Sequence, residues 1–292
     1  MAEIRGATWD DLDGVFALIE ARSLTVFGSS ERKLEYVKQA WSRPGFEVGA
    51  DNWVAVDDGS IVGYAAVDSG QELDHAATDP ALADALLIRA LERARERGFA
   101  TLALTTVPDD VALTALVGRH PFELDRVVLR MWRELDDDLP TATLPEGVDV
   151  RSYHDGDAEA THRLLDDAYA GWDREYVMLG HDDWLAFMTD HDEFDPSLWL
   201  LAEREGTLVG CALHWQPSGG RGWLKDLVVR ESERGAGLGK ALLHAGFRAN
   251  AAAGATRIGL KVDANNPTGA PQLYERVGFV TDRRYETWLI RP

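Results

Sequence analysis

The chemistry in this sequence is concentrated in one turn, Arg234-Gly235-Ala236-Gly237-Leu238-Gly239-Lys240, which follows the apolar run Leu227-Val228-Val229. A strand that enters a glycine-rich turn and opens a helix aims several backbone N–H groups and the positive end of the helix dipole at one point. That point attracts an anion. Gly235, Gly237 and Gly239 permit positive φ and keep Cβ atoms out of the way of a ligand's phosphates, while Arg234 and Lys240 add cations beside them. A P-loop is excluded by spacing, because three residues instead of four separate Gly235 from Gly239-Lys240, and Ala241 follows the lysine. A dinucleotide fingerprint fails as well: the glycines run Gly-x-Gly-x-Gly, and only about fifty residues remain after them. A glycine cluster that serves helix packing alone, with no ligand, is the bland alternative.

Arg234, Gly237 and Gly239 fall at the spacing of the acyl-CoA-binding signature of the GNAT superfamily of N-acetyltransferases, which the turn resembles: Gln or Arg, two residues, Gly, one residue, Gly or Ala. A second element, from Asn266-Pro267-Thr268-Gly269 through Ala270, Leu273-Tyr274-Glu275 and Gly278-Phe279, resembles the family's Asn…Ala-x-x-Leu-Tyr-Glu-x-x-Gly-Phe segment. The resemblance implies acetyl-CoA as co-substrate, no metal, and direct transfer of the acyl group to an amine. It also implies that backbone groups of Leu227, Val228 and Val229 pair with the pantetheine arm as an added strand would. The N–H groups of Gly235, Ala236, Gly237, Leu238, Gly239 and Lys240 then hold the pyrophosphate, with the thioester between this strand and the next, splayed from it. Asn266 is expected near the cofactor arm. Tyr274 takes the family's general-acid position, protonating the departing thiolate; as a plain core residue it would close its helix onto the sheet.

Amine attack on a thioester also requires a proton to leave, because an alkylammonium with a pKa of about 10 is no nucleophile at neutral pH. Asp226 is the one carboxylate in residues 223–229 and is the candidate base, directly or through water. It could instead bind the substrate ammonium or serve folding alone. Many family members carry a glutamate a few residues earlier, where this chain has Trp223-Leu224-Lys225. His214, at the end of the preceding strand, is the second candidate, although a histidine beside a tryptophan is commonly structural. Substrate selection is expected in residues 169–181, where Trp172 and Tyr176 with acidic neighbours would receive a cationic amine. The same composition suits an ordinary packed loop.

The elements that must hold these residues occur twice. Residues 136–147 are polar, contain Pro140 and Pro145 and interrupt every periodic pattern, as an interdomain linker does. Beyond it the patterns predict a strand at 148–151, a helix capped by Asp157, a helix near 182–188 and a hairpin over 198–215. A strand at 223–229, a helix at 240–253, a strand at 258–262, a helix at 270–277 and a final strand pair over 279–290 follow. The first half repeats that order: strand 3–5, helices 10–22 and 32–40, hairpin 52–67, helix 82–97, strand 101–104, helix 111–117 and closing strands 122–134. The expected fold is α+β, with two tandem GNAT-like domains, each a mixed, mostly antiparallel sheet flanked by helices: a degenerate domain at 1–135, the linker, and a catalytic domain at 148–292. Tandem members of the family such as mycothiol synthase resemble this layout. The first half has no glycine in the equivalent turn, residues 75–84, where Asp79 and Asp84 would face the phosphates. That half is expected not to bind CoA.

The 292 residues are 45% hydrophobic and carry a formal charge of −20, which opposes nucleic acid and anionic membrane as partners and suits a cationic or neutral small-molecule amine. The lone Cys211 precludes an intrachain disulfide and sits in an apolar run, as a core thiol would. Neither a leader nor a membrane span can be read from the sequence, so a cytoplasmic monomer or homodimer is expected. A non-catalytic acyl-CoA sensor or scaffold, a mycothiol synthase-type enzyme and a protein N-acetyltransferase are the competing functions.

Overall fold

The computed structural model describes residues 2–30, 33–170 and 179–292. The chain divides into two compact units, Met1–Val128 with Arg284–Pro292, and Leu129–Arg283. Each is α+β, with mostly antiparallel strands flanked by helices.

In the first unit β1 (Glu3–Gly6) leads through a short 3-10 turn to α1 (Leu12–Phe27) and α2 (Leu34–Trp41). Then come β2 (Asn52–Asp57), β3 (Ser60–Val67), β4 (Leu73–Ala77), α3 (Pro80–Glu96), β5 (Leu102–Thr106) and α4 (Val111–Arg119). The sheet runs β1-β2-β3-β4, antiparallel throughout. Side chains alternate across a strand, so β3 serves two cores. Tyr64 and Ala66 pack with Val15 and Ile19 of α1, while Ala65 and Val67 pack with Leu86, Leu87 and Ala90 of α3.

The second unit contains β7 (Val148–Ser152), α5 (Ala158–Tyr169), α6 (His181–Thr189), β8 (Trp199–Arg204), β9 (Thr207–Ser218), β10 (Arg221–Val229), α7 (Leu238–Ala252), β11 (Arg257–Asp263) and α8 (Ala270–Arg276). Strand order within it is β6-β11-β10-β9-β8-β7, where β6 is Glu123–Glu134 and enters the unit at Leu129. Here β9 is the shared strand. Cys211 and Leu213 face Leu164 and Leu165 of α5 and Trp184 of α6, while Ala212 faces Leu242 and Phe247 of α7.

Two expectations about the course of the chain change. Residues 122–134 and 279–290 form one long strand each, β6 and β12 (Val280–Ile290), because neither contains the Gly, Pro or Asn that a hairpin turn takes. Each strand crosses a unit boundary: Glu286–Ile290 of β12 pair antiparallel with β5 in the first unit, and the second unit takes Leu129–Glu134 of β6 beside β11. The segment 136–147 also differs from a free linker. Arg248 on α7 donates to the carbonyls of Leu139 (2.8 Å) and Pro140 (3.2 Å), His244 reaches that of Thr141 (3.2 Å), and Leu139 and Leu144 pack against the core.

The duplicated plan extends to one polar motif. Arg5 on β1 grips Asp11 with two bonds of 2.7 Å, and Asp11 also accepts from the N–H of Thr8 (2.8 Å). Arg151 on β7 grips Asp157 at 2.7 and 2.8 Å, and Asp157 accepts from the N–H of His154 (2.7 Å). Asp157 therefore reaches back to the strand and makes no side-chain cap bond to α5, contrary to the expected helix cap. No helix among the described residues is long and apolar enough to cross a membrane.

The Arg5 hydrogen bonds pull the Asp11 carboxyl down to about 2, against the opposing effect of burial. A folded-state value below the unfolded one of about 4 means that the contribution is complete above that pH and fades as pH falls toward 2. Asp11→Asn is expected to cost about 1–2 kcal/mol at neutral pH in urea melts. The gap from the parent should close between roughly pH 4 and pH 2.

Candidate active site

The geometry starts where β10 ends. After Val229 a short 3-10 turn at Glu231–Glu233 brings the chain to Gly235 and Gly237, whose φ values are 82° and 89°. Gly237 is the N-cap of α7, with no side-chain cap bond, and the helix's own ladder starts with Ala241 N–H donating to Gly237 O at 3.0 Å. The N–H groups of Leu238, Gly239 and Lys240 thus precede that ladder. A Cβ at Gly235 or Gly237 would meet nothing within 4 Å, so the backbone conformation is what requires glycine there. Gly239 differs: its Cβ would lie 3.3 Å from Cδ2 of Leu273 on α8, so its small size serves packing. Arg234 and Lys240 are exposed, and Arg234 Nε donates to Val229 O at 3.1 Å.

Beside the turn lies a cavity of about 760 Å³ lined by Leu164, Asp167 and Ala168 of α5, by Val229 to Ser232 and Arg234, and by Pro267 and Thr268. Two arginines and two carboxylates face it, so side-chain charge nearly cancels, and attraction for phosphate rests on the helix N-terminus and its uncommitted N–H groups. Asn266 shapes the wall: its Oδ1 accepts from Thr268 N–H (3.0 Å) and hydroxyl (2.6 Å), turning Pro267 and Thr268 toward the cavity. Along β10, Leu227, Val228 and Val229 keep antiparallel partners on β9, whereas the parallel ladder to β11 covers only Arg221–Trp223. The expected splay is therefore present. An uncapped helix end, open glycines, a cavity and a strand edge without a ladder fit the diphosphate and amide-bearing arm of acetyl-CoA.

Asp226 owes its direction to an irregularity. Leu224 is opposite His214 but Asp226 is opposite Leu213, so β10 has an extra residue, a β-bulge at Lys225. Leu224 packs in the α7 core, and after the bulge Val228 packs in the α5 core. Asp226, 9% exposed, shares that second face, where the Tyr169 hydroxyl donates to its Oδ1 at 2.7 Å and Lys225 Nζ lies 3.4 Å from Oδ2. Burial and then the Asp226 charge push the Tyr274 hydroxyl up, and Tyr169 is raised by the same causes in the same order. Both phenols therefore keep their protons through the neutral range. Cys211 is fully buried, as expected, and burial raises its thiol.

Asp226 and Tyr169 thus form a hydrogen-bonded pair to which His214 does not belong, and Tyr274 packs in the core beside Phe279. His214 is 0% exposed and lies against α7, with Nε2 2.4 Å from where a Cβ of Gly246 would be. Burial lowers it to about 3, and neither ring nitrogen has a hydrogen-bond partner among the described residues. It lies on the face of the sheet opposite Asp226, against α7. The substrate candidates Trp172 and Tyr176 lie outside the described residues. Tyr169, the first residue of the segment expected to select substrate, ends α5 one helical turn beyond Leu165, and the structure adds its bond to Asp226.

The first unit treats the equivalent turn differently. Residues 75–77 are strand, and α3 starts at Pro80 instead of residue 82 because Asp79 caps it, accepting from Ala81 N–H (2.9 Å) and Leu82 N–H (3.0 Å). Asp84 does not face the helix end as expected. It lies in the second turn of α3 and pairs with Arg119 and His120, both at 2.8 Å.

Comparison with known proteins agrees with this geometry. Residues 158–279 match the acetyltransferase (GNAT) family. A mycothiol acetyltransferase of Saccharopolyspora erythraea is 32% identical over 79% of this chain and 82% of its own. A GCN5-related N-acetyltransferase from Sphaerobacter thermophilus superposes with a TM-score of 0.77 at 26% identity, over 100% of this chain and 96% of that one. A tandem GNAT protein from the clavulanic acid biosynthesis pathway shares the fold, with a TM-score of 0.66 at 18% identity over 100% and 98% of the two chains.

Valine at a φ of 89° is strained by roughly 1–3 kcal/mol. Gly237→Val is therefore expected to weaken acetyl-CoA binding at least about tenfold in calorimetry. Unchanged affinity would remove the turn from the cofactor site.

Proposed function

The chain belongs to the GNAT acetyltransferase family, and from that premise we propose that residues 148–292 transfer the acetyl group of acetyl-CoA directly to the primary amine of a small molecule. The observation that carries this reading is the coincidence in one unit of an uncapped helix N-terminus and a strand, bearing the largely buried Asp226, whose ladder to β11 ends at Trp223. Acetyl-CoA supplies an activated carbonyl and a thiolate leaving group. An amine arrives mostly as ammonium and must lose a proton before its lone pair is free, and Asp226 receives that proton. Tyr274 retains its own proton and donates it to the sulfur as the C–S bond breaks. Leu227, Val228 and Val229 offer main-chain groups to the arm of acetyl-CoA, and the N–H groups from Gly235 to Lys240 hold its diphosphate. The similarity to mycothiol acetyltransferases over most of the chain favours a mycothiol-related acceptor.

The same physics favours a first half without CoA. The Asp79 carboxylate occupies the N-terminus of α3, the place a phosphate would take, and repels one.

Titration with acetyl-CoA is therefore expected to give one site per chain, and Gly237→Val should empty it; two equal sites would contradict the assignment of the first half. Tyr274→Phe should lower kcat about a hundredfold with acetyl-CoA affinity intact, read as CoA release with a thiol reagent across a panel of amines. Full activity of that variant would remove the general-acid role, and no release with any amine would oppose catalysis on small amines.

A further inference from the structure

Asp226 is a largely buried carboxylate with two described neighbours of different kinds. On one oxygen, Oδ1, the Tyr169 hydroxyl donates at 2.7 Å. Near the other, Oδ2, the Lys225 ammonium stands off at 3.4 Å with its side chain 31% exposed. The first contact is short and enclosed; the second is long and open to exchange. Tyr169 ends α5, so its ring is carried by a helix whose Leu164 and Leu165 are anchored in the core against β9 and β10. The carboxylate is carried by the bulged part of β10, where the ladder to β11 has ended and β9 alone supports the strand. A bulge frees a side chain's direction as much as it redirects it, and something has to fix the rotamer.

We propose that Tyr169 is the positioning residue of the proton acceptor: its hydroxyl fixes Oδ1 of Asp226, and this leaves Oδ2, the oxygen that now faces an alkylammonium, to receive the ammonium of the acceptor in exchange for Lys225. The exchange replaces one primary ammonium by another, so the charge around the carboxylate does not change when substrate enters. Tyr169 can only donate here, because a carboxylate oxygen has no proton to give and the phenol keeps its own. Tyr274, whose hydroxyl is assigned to the sulfur, is then not needed to hold Asp226. The inference rests on Asp226 being the base, and the test separates the two.

The experiment is a double-mutant cycle on the full chain with Tyr169→Phe and Asp226→Asn, read as kcat, as KM for the amine and as acetyl-CoA affinity by calorimetry. Tyr169→Phe should lower kcat about ten- to a hundredfold, the scale of a misplaced reacting group, with acetyl-CoA affinity and melting temperature close to the parent's. In the Asp226→Asn background the same change should alter kcat less than about twofold, since there is no base left to position. Equal losses in both backgrounds, or a Tyr169→Phe enzyme as active as the parent, would overturn the positioning role while leaving Asp226 as base. An Asp226→Asn enzyme with full activity would overturn the base assignment and the positioning role together. Tyr169→Leu, which also removes the ring, separates packing from hydrogen bonding: recovery from Leu to Phe without recovery of kcat supports the role of the hydroxyl, and recovery of kcat in Phe overturns it.

Discussion

A strand that loses its neighbour halfway along leaves main-chain N–H and C=O groups that must find other partners. β10 does this after Trp223, and most of the second unit can be understood from that point. Its open edge suits an extended, amide-bearing ligand. Its end delivers the chain into the glycine turn, whose positive φ values aim α7 at the same space. The bulge at Lys225 sits in the stretch where only β9 supports the strand, and it is the bulge that turns Asp226 away from the α7 core to the face bearing Tyr169.

The two halves solve one electrostatic problem in opposite ways. Both place the N-terminus of a long helix after a strand, and a helix N-terminus favours negative charge. In α3 the charge is covalently present as Asp79, bonded to two of the first N–H groups. In α7 the cap is Gly237, which has no side chain to offer, so in the proposed function the anion comes from outside. One residue type at the cap thus separates a self-satisfied helix end from one left open to a ligand. The shared Arg–Asp grip at the start of each half, unlike the cap, carries no function of this kind and is the same in both.

Burial does two kinds of work on the sheet of the second unit. At Tyr169 beside Asp226, and at Tyr274 in the core beside Phe279, it keeps the hydroxyl protonated, which suits groups that donate. On the α7 face it drives His214 to its neutral form with no hydrogen-bond partner among the described residues, which suits a core residue. Asp226 and His214 are one β-pair apart, yet chemically they belong to different compartments.

Much of this was legible along the chain because it depends on neighbours in sequence. The glycines at 235 and 237, the Asn266 turn, the Leu273-Tyr274 helix and the hydrophobic periods of both halves all act over a few residues, and local spacing reports such effects directly. The splay of β10 was an implication of the family resemblance, and the structure bears it out. Three features depend on residues far apart: the exchange of strand ends between the two compact units, the facing of Asp226, and its bond to Tyr169 across 57 positions. Spacing along β10 puts Leu224, Asp226 and Val228 on one face, and only the register against β9 reveals that a bulge breaks the alternation. The turn that opens α7 and the kinds of side chain around it follow from the residues in order, because backbone preferences are local. The tertiary structure alone decided which of those side chains meet, because direction across a sheet is set by pairing with another strand and not by the residue's own neighbours.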